Sequence, residues 1–169
     1  MDRGEGTKTA LRRNEAIARA MRGKARLVVK VGSSTLTHPT GKLNLGRMEA
    51  LARELADLAN AGHQPILVTS GAVAAGMSRL GVAGKPRSLP ERQAMAAVGQ
   101  GLLMQIYEKF FGEYSQIVAQ ILLTRDDTRE RRRYLNARHT LFTLLELGVI
   151  PIINENDTVA TEELQRQFG

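Results

Sequence analysis

The sequence predicts an α/β domain with a mainly parallel sheet and helices on both of its faces. Short apolar runs alternate with stretches of helical spacing, which is typical of consecutive βαβ units. The apolar runs are continuous rather than alternating, as expected for strands that are covered on both sides. With 169 residues, the chain is long enough for one domain with a substantial core.

The first strand is predicted at residues 26–31, where the run RLVVKV ends in Gly32 and two serines. The first helix is predicted from apolar residues that are spaced by three, four and three positions: Met48, Leu51, Leu55 and Leu58. Gly62 is expected just past the end of this helix, because glycine readily adopts the left-handed conformation that ends helices.

A buried strand at residues 65–69 and a helix of small residues at 72–80 are predicted next, followed by a loop at 81–90. A second long helix is predicted from one apolar stripe: Met95, Val98, Leu102, Ile106 and Phe110. Three small residues on this helix are expected to let it pack closely on the sheet: Ala94, Ala97 and Gly101.

The remaining predicted elements are a strand at 117–123, a helix at 134–147 that ends at Gly148, and a strand at 149–153. The last strand leads into the polar segment 154–157, and only a polar stretch follows it. Since an α/β sheet normally continues past such a point, the domain is expected to be truncated.

The formal net charge of +7 would suit nucleic acid, a membrane surface or an anionic substrate. Much of this charge lies in a basic N-terminal extension at residues 1–25, and a second cluster at 129–133 is interpreted as the charged start of a helix. No aromatic residues are interleaved with the basic ones, so nucleic-acid binding is disfavoured. The folded part is predicted to span residues 26–169.

Cysteine is absent from the sequence, which excludes disulfides and thiolate metal sites and fits a cytoplasmic protein. The uncharged stretch 58–78 is long enough to cross a membrane, but Asn60, His63 and Pro65 interrupt it, so no membrane partner is expected. The three histidines are scattered, and no metal-ligand spacing is present.

The first candidate site lies at the end of the first predicted strand, at Lys30, Gly32 and Ser33. Gly32 would let the backbone approach a phosphate, and the following N–H groups could cradle its oxygens. A lysine within a buried strand needs a partner, and a phosphate would serve. Alternatively, Lys30 lies at a strand edge and simply reaches solvent.

The second candidate site follows the next strand, at Ser70, Gly71 and Ala72. A strand, a Ser-Gly pair and a helix of small residues together predict a helix N-terminus that can bind a carboxylate or a phosphate. Alternatively, Ser70 acts only as the N-cap of that helix, and the two interpretations are compatible.

The third candidate site is the polar end of the last strand, which carries Asn154 and Asp157. Asp157 could hold an ammonium group while the amides orient a carboxylate. Alternatively, the segment is only an Asx-rich turn. Because parallel strands present their carboxyl ends to one edge of the sheet, all three candidate sites are expected to converge there.

Two nucleotide-binding motifs are missing. No Gly-x-x-x-x-Gly-Lys-Ser/Thr sequence occurs, so the chain is not a P-loop protein. The stretch Gly99-Gln100-Gly101 lacks the third glycine of a dinucleotide fingerprint and falls within a predicted helix.

Five blocks, in this order and spacing, resemble the glutamate 5-kinases of the amino-acid kinase family. These blocks are VVKVGSS at 28–34, LVTSGAVAAG at 67–76, AAVGQGLLM at 96–104, AQILLT at 119–124 and VIPIINEND at 149–157. The resemblance runs from about residue 26 to residue 169. It implies a three-layer α/β/α sandwich, and transfer of the γ-phosphate of ATP to the side-chain carboxylate of L-glutamate.

The resemblance also implies roles for individual residues. By position, Lys30 corresponds to the lysine that meets the transferring phosphate, with Gly32, Ser33 and Gly71 in the phosphate-binding turns. A second set corresponds to the glutamate-binding residues: Ser70, Gly71, Ala72, Asn154 and Asp157.

The resemblance further implies a place in proline biosynthesis, Mg²⁺ carried by ATP without protein ligands, feedback inhibition by L-proline, and a homo-oligomer. The family's Asp-Asn-Asp segment and its nucleotide-binding half are missing from these 169 residues. The alternatives are a kinase for aspartate or acetylglutamate, and a non-catalytic fragment that binds glutamate or proline. The free-ammonium site expected at Asp157 disfavours acetylglutamate.

Overall fold

A computed structural model describes residues 23–82 and 84–159 of the chain. The predicted basic extension at 1–25 lies outside the described residues except for its last three positions, and so do residues 160–169.

The described residues form four strands and six helices. In chain order these are β1 (Arg26–Lys30), α1 (Ser33–Leu36), α2 (Leu45–Asn60), β2 (Gln64–Val68), α3 (Ala72–Leu80), α4 (Leu89–Glu113), β3 (Val118–Leu123), α5 (Arg125–Arg129), α6 (Arg131–Glu146) and β4 (Ile150–Glu155). The strands form one sheet in the order β1-β2-β4-β3, and every neighbouring pair is parallel. The predicted parallel α/β architecture is therefore confirmed.

The main core lies between one face of the sheet and helices α2 and α4. Val29 is opposite Leu67, and Leu67 is opposite Ile152, so these three side chains share this face. Tyr107 and Phe111 of α4 are completely buried against it, with their ring centroids 6.4 Å apart. Burial of these large apolar groups stabilises the sheet and fixes α4 across it.

Helix α6 covers the opposite face, to which Gln64 and Ile66 point. The Gln64 side-chain amide donates to the carbonyl of Leu145 at 3.0 Å, which ties the start of β2 to α6. Leu145 and Ile66 are both buried. Helices thus lie on both faces, although Val28 on this second face of β1 is 65% exposed.

Helices α3 and α4 pack backbone to backbone through two glycines. A Cβ on Gly76 would overlap the carbonyl oxygen of Met95, and a Cβ on Gly99 would overlap that of Ala72. The prediction that Ala94, Ala97 and Gly101 make the close contact is therefore wrong, because all three are exposed.

The buried stripe of α4 also differs from the predicted one. Val98 was expected in the core but is 40% exposed. The fully buried residues of α4 are Met95, Ala96, Gly99, Leu103, Tyr107 and Phe111. Relative to the prediction, α4 is rotated about its own axis, because it packs against α3 as well as against the sheet. Small residues therefore occupy the side of α4 that faces α3.

Other predicted elements agree with the structure to within a few residues. Met48 and Leu55 of α2 are buried, and Gly62 follows the helix with φ of 89°. Ile117, expected in β3, precedes that strand and is 68% exposed.

Helix α6 begins three residues before its predicted start, because the Glu130 side chain accepts from the first backbone N–H groups. The basic cluster at 129–133 therefore includes the start of α6, as expected. Within the described residues, no helix is long and apolar enough to cross a membrane.

Candidate functional site

A cavity of about 760 Å³ opens at the carboxyl ends of β1, β2 and β4. It is lined by residues from all three predicted sites. These are Lys30, Gly32, Ser33, Ser70, Gly71, Ala72, Asn154 and Asp157. The three turns therefore meet at one edge of the sheet, as the parallel strand order requires.

The turns after β1 and β2 are held together by hydrogen bonds. The backbone N–H of Val31 donates to Val68 at 2.9 Å, and the Ser70 hydroxyl donates to the carbonyl of Val31 at 3.1 Å. Gly71 has φ of 100°, and a Cβ there would stand 3.9 Å from Ser33. The left-handed conformation lets α3 begin directly beside the first turn.

Ser70 is not the N-cap of α3, contrary to the alternative derived from sequence. Gly71 holds the cap position, and no side chain caps the helix, since the Ser70 hydroxyl bonds to the carbonyl of Val31, just after β1, instead. Ala72, Val73 and Ala74 line the cavity. The positive end of the α3 dipole therefore faces a space that a ligand can enter, which favours an anion there.

Lys30 is the last residue of β1, which is an edge strand of the described sheet. Its side chain is exposed, so the expectation that Lys30 lies within a buried strand is wrong, and the alternative of a strand-edge lysine that reaches solvent agrees with the structure. Lys30 nevertheless lines the cavity. A lysine at the rim of the cavity can face the site and also reach solvent.

Asn154 lies at the floor of the cavity and is only 4% exposed. Its side-chain oxygen accepts from the backbone N–H of Glu155 at 2.9 Å, and its amide nitrogen donates to Gln100 at 2.6 Å. These bonds fix the orientation of the carboxamide. The segment therefore does more than complete a surface turn.

Asp157 stands in the cavity wall opposite a cation that sequence reasoning missed. Arg92, in the second turn of α4, approaches the Asp157 carboxylate at 3.6 Å, and both side chains are mostly buried. The sequence did contain a local sign that Arg92 has an anionic partner. A cation close to a helix N-terminus opposes the helix dipole and requires a partner elsewhere.

Three further polar side chains that line the cavity lie outside the predicted sites: Thr69, Lys85 and Ser88. Lys85 comes from the loop between α3 and α4, which the sequence identified only as a connection. Thr69 shares a buried hydrogen bond of 2.9 Å with the Tyr107 hydroxyl, and burial raises the pKa of Tyr107 above its ordinary value. Tyr107 therefore stays neutral and anchors the end of β2 to α4.

The charges that line the cavity have both signs. Lys30, Lys85 and Arg92 bring positive charge, whereas Glu155 and Asp157 bring negative charge. Such a site suits a ligand that carries both anionic groups and an ammonium group. In the part of the chain that is described, no cluster of three or more acidic or histidine side chains could hold a metal ion.

A family model described as "Amino acid kinase family" matches residues 25–169. The chain is also 71% identical over 140 residues to the glutamate 5-kinase of Moorella thermoacetica, a match that covers 83% of this chain and 37% of that protein. The glutamate 5-kinase of Caldanaerobacter subterraneus subsp. tengcongensis is 62% identical, with 83% of this chain and 38% of that protein covered.

The glutamate 5-kinase of Clostridium acetobutylicum is 54% identical over 85% of this chain and 53% of its own length. The chain thus spans between about a third and about half of the length of these three curated relatives. The family match covers most of the chain, including all three strand ends that form the cavity. The chain belongs to the amino acid kinase family.

Proposed function

We propose that the cavity is the glutamate- and phosphate-binding site of a glutamate 5-kinase, which transfers the γ-phosphate of ATP to the side-chain carboxylate of L-glutamate. The observation that carries the proposal is the meeting of Lys30, the α3 N-terminus and Asp157 in one cavity. The similarity to glutamate 5-kinases supports this substrate, and we propose that the reaction is the first step of proline biosynthesis.

The chemistry requires charge neutralisation more than proton transfer. A carboxylate is already ionised at neutral pH, because the pKa of a glutamate side chain is about 4.3. The acceptor is therefore a nucleophile without a general base, but it must approach a highly charged nucleotide. Lys30 and the α3 N-terminus supply fixed positive charge where negative charge converges.

The opposite charges of Asp157 and Arg92 match the amino and carboxylate groups of an amino acid. In the proposed complex, Asp157 accepts from the substrate ammonium, and Arg92 turns from Asp157 towards a substrate carboxylate. The Ser70 hydroxyl donates to the carbonyl of Val31, so its lone pairs remain able to accept from the ammonium. Asn154 lies beside them at the floor.

The residues present fit the phosphates of ATP. Gly71 has no Cβ and lies against Ser33, so backbone groups of both turns can approach an anion closely. Gly32, Ser33 and Gly71 would hold the phosphates with Lys30. Mg²⁺, which we propose enters with the nucleotide, supplies further neutralisation of the phosphate oxygens.

Three further proposals rest on the family resemblance. They are a cytoplasmic location, association of several copies of the chain, and L-proline as a feedback inhibitor. Each has a direct measurement, respectively fractionation of cells, sedimentation of the purified protein, and inhibition of phosphate transfer by added proline.

The proposal is tested in a kinase that joins these 169 residues to the remaining length of its relatives, by trapping the acyl phosphate with hydroxylamine in the presence of MgATP. We expect hydroxamate to form with L-glutamate, and not with L-aspartate or N-acetyl-L-glutamate. Lys30→Ala should lower this turnover by roughly 10²–10³-fold with little change in glutamate affinity, because it removes stabilisation of the transferring phosphate. Lys109→Ala, an exposed lysine late in α4, is the matched control.

Asp157→Ala should instead weaken glutamate binding by about tenfold or more, because it removes a charged partner of the ammonium. Isothermal titration measures this separately from turnover. Equal turnover in the wild type and Lys30→Ala would remove the lysine from the mechanism. Saturable glutamate binding without any hydroxamate would favour the alternative of a non-catalytic binding module.

A further inference from the structure

Gln100 lies on α4 directly beneath the cavity floor and contacts it through Asn154. The Asn154 Nδ2 atom donates to Gln100 Oε1 at 2.6 Å, which joins α4 to the end of β4. Gln100 itself is outside the cavity lining. It can therefore affect a ligand only through the residue it holds.

The polarity of this contact is set by a backbone group. The N–H of Glu155 can only donate, and it donates to Asn154 Oδ1 at 2.9 Å. Asn154 must therefore turn its Nδ2 atom towards Gln100, and Gln100 must present its oxygen in return. Neither carboxamide can flip without bringing two donors or two acceptors together.

This order leaves the side-chain NH2 group of Gln100 unmatched. Its Nε2 atom is buried and has no hydrogen-bond partner among the described residues. An unpaired buried amide opposes folding, and most buried polar atoms are paired. A glutamine in this place therefore indicates a role other than stability.

We infer that Gln100 is a positioning residue that holds Asn154 so that it presents a hydrogen-bond donor towards the cavity. The inference rests on the proposed glutamate site. Asn154 Oδ1 already accepts from Glu155, and one Nδ2 hydrogen is donated to Gln100, which leaves the second Nδ2–H as a donor that a ligand can engage. A donor selects a carboxylate oxygen and rejects an ammonium group, which is left to Asp157.

The test compares Gln100→Met with Gln105→Met in the full 169-residue chain. Methionine keeps the approximate length and removes the oxygen that holds Asn154. Gln105 lies on the same helix and is exposed, so its replacement leaves the site intact. We expect Gln100→Met to weaken L-glutamate binding by roughly tenfold, the loss of one hydrogen bond to a charged group. Gln105→Met should bind as the wild type does.

Specificity provides the readout that a general loss of structure would not produce. The wild type should bind L-glutamate more tightly than its two monoamides, L-glutamine and L-isoglutamine. Each monoamide lacks one of the two carboxylates of glutamate. In Gln100→Met, the preference over the monoamide that lacks the carboxylate contacted by Asn154 should become smaller, and the preference over the other monoamide should be kept. Equal loss of affinity for all three ligands would overturn the inference.

A measurement on the wild type covers the case in which Gln100→Met does not fold. The Asn154 side-chain amide protons should be protected from exchange, and their NMR signals should shift on addition of L-glutamate. Signals that stay unchanged while glutamate binds would overturn the positioning role and leave the proposed function standing. A wild-type chain that binds no glutamate would overturn the proposed function, and this inference with it.

Discussion

Replacing Gly99 with alanine should strongly destabilise the protein, because the added methyl group has no space between α3 and α4. A Cβ at this position would overlap the Ala72 carbonyl oxygen and would stand 2.7 Å from its carbonyl carbon and 2.5 Å from the backbone nitrogen of Gly76. All of these neighbours are backbone atoms, so no side chain can rotate away to make room.

The size of the effect follows from these distances. Carbon atoms in contact normally stand about 3.5–4.0 Å apart, so the carbon contact alone requires the two helices to separate by about 1 Å, and the overlap with the oxygen requires more. Overpacking of a tight core costs typically about 1–3 kcal/mol, and a backbone clash belongs at the upper end. We expect a loss of about 3 kcal/mol, which for a domain of this size lowers Tm by roughly 10 °C.

Urea denaturation followed by circular dichroism measures this loss, and Gly101→Ala is the control. Gly101 lies on the same helix, and a Cβ there would meet nothing within 4 Å. Alanine at this exposed helical position should stabilise the protein by about 0.5–1 kcal/mol, because glycine disfavours helix interiors. If Gly99→Ala were as stable as Gly101→Ala, the close contact between α3 and α4 would be refuted.

Two further predictions concern the edge of the sheet that carries the cavity. Tyr107→Phe should lower the free energy of unfolding by about 1 kcal/mol in urea denaturation, since it removes the buried hydrogen bond to Thr69; an unchanged value would show that this bond contributes nothing. Hydrogen bonds from Thr124, and to a lesser extent the Arg133 charge, lower the pKa of Asp127 below 3.8. The stabilisation that follows from this lowered pKa should be complete above pH 3.8 and should decline as the pH falls through the folded-state pKa. Unfolding midpoints of Asp127→Asn, measured over the same pH range, should lack this pH-dependent stabilisation.

The strands and their order of connection could be predicted because their signals are local. The predicted strand at 65–69 differs from β2 by only one residue at each end. The prediction is this close because Pro65 marks the start of the strand, and Thr69 and Gly71 mark its end. Each connection between two strands contains a helix long enough to cross the sheet, which makes neighbouring strands parallel. The meeting of Gly32, Gly71 and Asn154 at one edge then follows from the topology alone.

The rotation of α4 could not be predicted, because it depends on what the helix packs against. A stripe of large apolar residues through Val98 is the best local choice for a helix on a sheet. In the structure, Ala96 and Gly99 are buried instead, because α3 approaches so closely that only small residues fit. The contact between two helices depends on both of them, so the sequence of either helix alone gives little sign of it.

The same reason explains why parts of the site were missed. Arg92 and Gln100 project from α4, so their approach to Asp157 and Asn154 depends on the rotation of that helix. The sequence offers Ser70 as a possible helix cap, whereas its hydroxyl bonds to the carbonyl of Val31, which lies 39 residues away in the turn after β1. Local sequence describes which groups are present, and tertiary packing decides which of them meet.

The central claim is that three distant turns form one ligand site, and backbone-amide NMR of the chain titrated with L-glutamate tests it most directly. The amides of Gly32, Gly71 and Asn154 should shift together with one apparent Kd, because one ligand contacts all three turns. Gly62 and Gly148, which precede β2 and β4 at the opposite edge of the sheet, should not move. Shifts centred on those two glycines, or confined to a single turn of the cavity, would contradict the account.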